Sequence, residues 1–174
     1  MRSVRRLSRA ALLCTAALSL SSCGIPETGV VEAGEPATGI RPAQVLYFVS
    51  EGGPLAVRRQ VPGPVGIETA VEMLFQGPDV VERRSGMITE LPALTGVATV
   101  RTDGPRVSVE LPWGTGPLTE LAITQLTCTV ADARVSSNLV PGTDTASTEV
   151  TVTVPDAWQA EGSSKACPSA TGAE

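Results

Sequence analysis

The 174-residue sequence has no histidine, and lysine occurs once, at Lys165. Without histidine the chain lacks the commonest general base and the commonest metal ligand. A serine nucleophile would depend on Lys165, which stands beside Ser163 and Ser164, and we interpret that stretch as a solvated linker. No glycine-rich phosphate loop or metal-ligand spacing occurs, so we expect neither a metal nor a cofactor.

Basic residues are also scarce, since the sequence has 13 of them and 18 acidic residues. Four of the basic residues precede Cys23 and no acid does, which leaves the remainder with 9 basic and 18 acidic residues, a net charge of about −9. This charge excludes binding to the phosphates of nucleic acid and docking by charge on an anionic lipid surface.

The N-terminus has the pattern of an export signal. Arg2, Arg5, Arg6 and Arg9 precede an apolar stretch over residues 10–20, which is shorter than the roughly 20 apolar residues of a transmembrane anchor. The motif LSSC at 20–23 resembles the lipobox of bacterial lipoproteins. It implies cleavage after residue 22 and acylation of Cys23, and two acyl chains anchor a protein stably. The alternative is an ordinary secretory signal that contains a cysteine.

Two cysteines remain in the mature chain, since Cys14 leaves with the signal and Cys23 takes the lipid. In an oxidising compartment Cys128 and Cys167 are expected to form a disulfide, and two free thiols are the alternative.

Composition divides the chain into four segments. We predict a signal peptide over 1–22, a lipidated flexible tether over 23–43, a globular domain over 44–155 and a polar tail over 156–174. The tether is rich in glycine and proline and has no apolar period.

Periodicity within the domain predicts alternating hairpins and helices. Residues 45–49 and 55–61 form a first hairpin, and apolar residues from Ile67 to Phe75 recur at helical spacing before the helix stop at Gly77 and Pro78. Asp79 begins a short helical turn that runs to Arg84.

The second half repeats this arrangement. It has a hairpin over 97–102 and 106–111, a helix from Leu118 to about Ala131, a weaker strand over 134–140 and a last strand over 148–154. The order β-β-α-β-β-α-β predicts an α+β two-layer sandwich, with a mainly antiparallel sheet and two helices on one face.

Several of these segments resemble the GerMN domain, a sporulation and spore-germination module of bacterial envelope lipoproteins. They are VLYFV at 45–49, VRRQVP at 57–62, LFQGP at 74–78, ERRSG at 82–86 and VSVEL at 107–111. The motifs CGIP at 23–26 and QLTC at 125–128 resemble short lipoproteins of GC-rich Gram-positive bacteria. The resemblance covers about residues 44–140 and implies a non-enzymatic envelope module, but residues 134–154 depart from the pattern.

The candidate site residues are two arginine pairs and one tryptophan. Arg58 with Arg59, and Arg83 with Arg84, could grip carboxylates or phosphates of a wall polymer or of an acidic envelope protein, or could merely balance surface charge. Trp113 lies at a strand end, either as an exposed anchor or as a lid over the core.

We therefore expect a lipid-anchored binding or scaffolding protein on the outer face of the cell membrane. The alternative is a wall hydrolase that uses a carboxylate pair. Glu68 and Glu72, which share one helix face, are more typical of a solvated surface.

Overall fold

Six strands form two sheets in the part of the chain that the structure, a computed structural model, describes: residues 42–61, 63, 66–137 and 147–168. The first sheet pairs β1 (Ala43–Ser50) with β2 (Gly53–Gln60). The second has the order β3 (Thr99–Asp103), β4 (Arg106–Glu110), β5 (Glu149–Val154) and β6 (Trp158–Ser163). The helices are α1 (Ile67–Gln76), α2 (Val80–Arg84) and α3 (Glu120–Ser137), and a 3-10 turn follows at Ser164–Ala166. The predicted signal peptide, Cys23 and most of the tether lie outside these residues.

The predicted α+β fold with mainly antiparallel pairing is confirmed. Three strand pairs are antiparallel, and only β4 and β5 run parallel. The strands form two sheets and not the expected single one, and α3 packs against β1 of the first and against β5 and β6 of the second.

Strand β1 is buried from Gln44 to Val49, as its continuous apolar run predicts. A two-residue turn joins it to β2. Glu51 and Gly52 both have positive φ, 52° and 80°, which matches the right-handed twist of the paired strands.

The edge of β1 opposite β2 is closed by side chains of α3 and by one bridge. The Tyr47 N–H donates to Thr129 Oγ1 at 2.9 Å, and the Tyr47 carbonyl accepts from Gln125 Nε2 at 3.0 Å. Val49 and Ile88 exchange two backbone hydrogen bonds of 2.9 Å each. The backbone groups of Tyr47 and Val49 are thereby paired on this edge without a third strand.

Helix α1 has the predicted apolar stripe, with Ile67, Ala70, Val71 and Leu74 buried. It ends where Gly77, at φ 80°, donates its N–H to the Leu74 carbonyl at 3.0 Å.

Helix α2 follows at once and begins with a capping box. The Asp79 carboxylate accepts from the N–H groups of Val81 and Glu82, at 2.7 and 2.9 Å. Glu82 in turn accepts from the Asp79 N–H at 2.6 Å. The reciprocal bonds satisfy N–H groups that a helix start leaves unpaired, so the short helix is well defined.

Helix α3 runs further than its sequence indicates and replaces the strand predicted over 134–140. It continues through Ser137, so that prediction is wrong for 134–137, and residues 138–140 lie outside the described part. Arg134 is buried, with Nε donating to the Gly104 carbonyl at 3.0 Å and Nη1 to Thr148 Oγ1 at 3.1 Å. These contacts hold the last helical turn against the second sheet.

The second sheet is built on two parallel strands. Val107 lies opposite Val150 and Val109 opposite Val152 in the β4–β5 register, and all four valines are buried. Parallel strands need a long crossover connection, and α3 forms its helical part. The predicted strand over 148–154 is present as β5.

The polar tail predicted from residue 156 is wrong for its first half. Strand β6 pairs there with β5, from Val154 opposite Trp158 to Glu149 opposite Ser163. Trp158 and Ala160 pack on the main core while Gln159 and Glu161 face solvent. The globular domain therefore extends beyond residue 155.

Candidate functional site

Arg59, the second arginine of the first pair, makes its contacts within the folded domain. Its Nη2 forms a salt bridge with Glu82 Oε2 and donates to the Gly77 carbonyl at 3.3 Å. Its guanidinium carbon lies 5.4 Å from the centroid of the Phe48 ring. Glu82 is buried, so this pair ties β2 to the junction of α1 and α2 and compensates a charge that would otherwise be costly.

Arg83 of the second pair is exposed, but it acts at the same junction, where Nη1 donates to the Pro78 carbonyl. The pKa of the Asp79 carboxyl lies below its ordinary value, chiefly because it accepts from the Glu82 N–H. The Val81 N–H and the guanidinium groups of Arg59 and Arg83 lower it further. Two arginines from different pairs therefore meet around one structural carboxylate.

Arg58 and Arg84 are exposed and, unlike Arg59 and Arg83, their side chains make no hydrogen bond within the described ranges. The salt bridges among the described residues are Arg59–Glu82 and Arg101–Glu110, so neither Arg58 nor Arg84 is in one. Of the four arginines predicted to bind a ligand, these two remain available for an acidic partner.

Trp113 is 82% exposed, so it does not cover the core. It lies in a turn after β4, next to Gly114 at φ 88°. Pro112 and Gly114 on either side shape this turn, and the side chain stands in solvent.

The cysteines Cys128 and Cys167 form a disulfide in the structure, with their Cα atoms 5.5 Å apart. It joins the middle of α3 to the segment after the 3-10 turn. Cys128 belongs to a small buried cluster with Val45 and Tyr47, and Cys167 packs against that cluster. The Tyr47 hydroxyl lies 3.0 Å from Asp132 Oδ2 and 3.4 Å from the Pro168 carbonyl oxygen. Burial, and then the charge and hydrogen bond of Asp132, raise the pKa of Tyr47.

Glu68 and Glu72 line a groove of about 370 Å³, which we call the α1 groove. One wall is α1, with both glutamates and Phe75, and the other wall is residues 94–98. The second wall carries no carboxylate, whereas a glycoside hydrolase needs carboxyl groups on both sides of the bond it cleaves.

A second groove, of about 430 Å³, lies between α3 and β6, and we call it the α3 groove. Its lining includes carboxylates from two elements, Glu120 on α3 and Glu161 on β6, together with Ile123 of α3. Both glutamates are exposed, whereas a general acid is usually kept protonated by burial.

Lys165 does not form a catalytic pair with the serines next to it. The Ser163 hydroxyl donates to Glu149 Oε1 at 2.9 Å, and the Ser164 hydroxyl oxygen accepts from the Thr148 N–H at 2.9 Å. Lys165 is exposed. The two hydroxyls hold the end of β6 against the start of β5.

Within the described ranges no group of histidine, cysteine, aspartate or glutamate side chains is arranged to hold a metal ion. In that part of the chain, no helix has the length and hydropathy needed to cross a bilayer.

No protein-family model matches the chain. No curated protein matches it either. Among solved structures, the tandem GerMN domains of the sporulation protein GerM from Bacillus subtilis are similar at 18% sequence identity with a TM-score of 0.45. The match covers 72% of this chain and 43% of that one, so the chain spans less than half of the length of the GerM structure.

Proposed function

We propose that this chain is a lipid-anchored protein of the bacterial cell envelope, whose domain binds or scaffolds a partner and catalyses no reaction. The observation that carries the proposal is the N-terminal pattern of arginines, an apolar stretch and the LSSC motif that ends at Cys23. The Cys128–Cys167 disulfide supports an extracytoplasmic address, because disulfides persist in oxidising compartments. The sequence resemblance to the GerMN domain suggests sporulation or wall assembly as its setting.

The anchor is tested by feeding cells a labelled fatty acid and isolating the protein. Label is expected on the wild type and on Cys14→Ser, whose changed residue lies in the cleaved signal. It is expected to be absent from Cys23→Ser. Label on all three proteins, or on none, would show that Cys23 is not the acylation site.

Binding through the exposed arginines is tested by crosslinking in intact cells. Arg58→Ala and Arg84→Ala should reduce the recovery of an acidic partner, because each removes an exposed charge that is in no described salt bridge. Arg59→Ala is the contrasting variant, since it should lower stability by unpairing buried Glu82. Recovery that stays unchanged in Arg58→Ala/Arg84→Ala would end the arginine-site hypothesis.

The hydrolase alternative rests on Glu120 and Glu161, which lie on the two walls of the α3 groove. Purified protein incubated with cell-wall material is expected to release no soluble fragments. Release that is abolished by Glu120→Gln or Glu161→Gln would establish the alternative, and Glu68→Gln is the matched control in the α1 groove.

A further inference from the structure

The two most exposed large apolar side chains among the described residues are Val97, at 87%, and Trp113, at 82%. Single exposed apolar residues are ordinary, but a tryptophan loses much more apolar contact with water when a partner covers it. Tryptophan is also the residue type most enriched where binding energy concentrates.

Hydrogen bonds hold the turn that carries Trp113 in one conformation. The Pro112 carbonyl accepts from the Thr115 N–H at 3.2 Å and from its hydroxyl at 2.8 Å. The Thr115 carbonyl accepts from Trp158 Nε1 at 2.8 Å, which fastens the turn to β6. A partner that binds Trp113 therefore has little backbone entropy to remove.

This turn adjoins the α1 groove. A Cβ placed on Gly96 would lie 3.3 Å from Pro112 Cγ, so the Gly96 backbone passes close to the side chain of the residue before Trp113. Gly96 and Val97 both line the groove, together with half-buried Phe75 and Leu94. Trp113 thus follows directly on the residue that lies beside Gly96 at the groove, and we call Trp113, Val97 and the α1 groove together the Trp113 surface.

The charge at this surface is of one sign. Glu68 and Glu72 are exposed on the α1 wall, and no lysine or arginine is among the described residues that line the groove. Two carboxylates in a groove that also carries Phe75 and Leu94, with a tryptophan in the nearby turn, favour a cationic partner, because arginine and lysine pair with carboxylates and are attracted to an indole face.

We propose that the Trp113 surface binds a segment of a partner protein in which an apolar side chain stands next to arginine or lysine. The apolar side chain fills the α1 groove and contacts Val97 and Trp113, while the cation pairs with Glu68 and Glu72. This proposal rests on the proposed binding function and adds to it the partner's chemistry and a second surface distinct from the arginines.

Charge argues against two other occupants. An anionic bilayer would be repelled by the two glutamates and by the acidic chain as a whole. A second copy that presented the same surface would bring its own Glu68 and Glu72 against these two, and like charges there weaken association.

The test uses the full chain isolated as the cell makes it, in phosphatidylcholine nanodiscs. The probes are three short fluorescein-labelled peptides that alternate leucine with arginine, leucine with glutamate, or serine with arginine. Fluorescence anisotropy measures binding, and empty discs are the blank. The leucine–arginine peptide is expected to bind much more tightly than the other two, and more weakly in about 1 M than in about 0.15 M salt.

Four variants locate the site. Trp113→Ala should weaken binding by about tenfold or more. Glu68→Gln/Glu72→Gln should weaken it several-fold at about 0.15 M salt and have no effect at about 1 M salt. Val81→Ala removes another exposed apolar side chain, and Glu161→Gln removes an exposed carboxylate from the α3 groove, so both should bind as the wild type does.

The proposal is overturned if the three peptides bind equally or not at all, or if Trp113→Ala binds like the wild type. Sedimentation that shows a dimer lost in Trp113→Ala would also overturn it, in favour of a second copy. None of these results alters fatty-acid labelling at Cys23, so a failure here is distinguishable from a failure of the proposed anchor.

Discussion

Helix α3 packs against β1 on one side and against β6 on the other, and its polar side chains meet the two strands in different ways. Toward β1, its polar side chains are used as hydrogen-bonding groups, with Gln125 and Thr129 completing the open edge of a strand. Toward β6, a threonine meets a glycine at very short range. A Cβ placed on Gly162 would lie 2.1 Å from Thr127 Oγ1, and that hydroxyl has no hydrogen-bond partner in the described part of the chain.

The comparison shows what a buried polar residue contributes in each setting. Where the partner is an unpaired backbone edge, a side-chain amide or hydroxyl takes the place of a missing strand. Where helix and strand approach as closely as Thr127 and Gly162 do, only a residue without a side chain fits at the strand position. The first side should therefore be sensitive to loss of hydrogen bonds, and the second to added volume.

The disulfide on the β1 side should give the largest effect when it is removed. Cys128 and Cys167 are 39 residues apart, and closing a loop of that size stabilises a fold by roughly 3–4 kcal/mol. Cys128→Ala/Cys167→Ala is expected to lower the free energy of unfolding by about that amount in a urea titration. A midpoint equal to that of the wild type would mean that packing alone holds the segment after β6.

On the β6 side, Gly162→Ala should cost about 1–3 kcal/mol, because the added methyl group overlaps Thr127 and approaches Ile123 Cγ2 to 3.2 Å. Gly116→Ala is the control, since nothing lies within 4 Å of a Cβ at that position.

A double-mutant cycle with Thr127→Ala sharpens this prediction. Removing the hydroxyl should restore much of the stability lost in Gly162→Ala, which thermal unfolding measures. Strictly additive losses would show that the short approach between helix and strand is not the source of the cost.

Gln125→Leu tests the hydrogen-bonding side and should cost about 1–3 kcal/mol. It leaves the Tyr47 carbonyl without its 3.0 Å donor and the Glu90 N–H without its 2.8 Å acceptor, Gln125 Oε1. Gln159→Leu changes an exposed glutamine on β6 and should be nearly neutral. If the two variants unfold at the same urea concentration, the helix does not complete the strand edge.

The smallest effect at neutral pH concerns Tyr47, the one tyrosine of the chain. Its pKa is raised above the ordinary value of 10.0, so the folded state keeps the phenol neutral at a pH where the unfolded state ionises. Stability should be unaffected below about pH 10 and should fall as the pH rises above it. Ultraviolet absorbance of the phenolate measures this, and ionisation near pH 10 without unfolding would contradict it.

The elements that were predicted correctly are those whose pattern is local. The apolar stripe of α1 and the Gly77–Pro78 stop give its limits to within one residue, and the alternation of Val107 and Val109 gives β4. The end of α3 was missed because the helix is buried between two sheets and has no single apolar stripe. For β6 a signal was present, since Trp158 and Ala160 alternate with Gln159 and Glu161.

The site was less predictable, because its features depend on residues far apart in the sequence. The salt bridge of Arg59 with Glu82 and the close approach of Gly96 to Pro112 arise only when the chain is folded. Sequence reasoning singled out Trp113, but its exposure and the groove beside it follow from the turn that Trp158 holds.

The parallel pairing of β4 with β5 has a consequence for the order of events during synthesis. Val107 lies opposite Val150, and Cys128 bonds to a residue 39 positions later, so the first contact needs residue 150 and the second needs residue 167. During synthesis from the N-terminus, the hairpin of β1 and β2 is complete long before these later contacts can close. The strands that depend on them would stay open to proteases and to chaperones until those residues have been added.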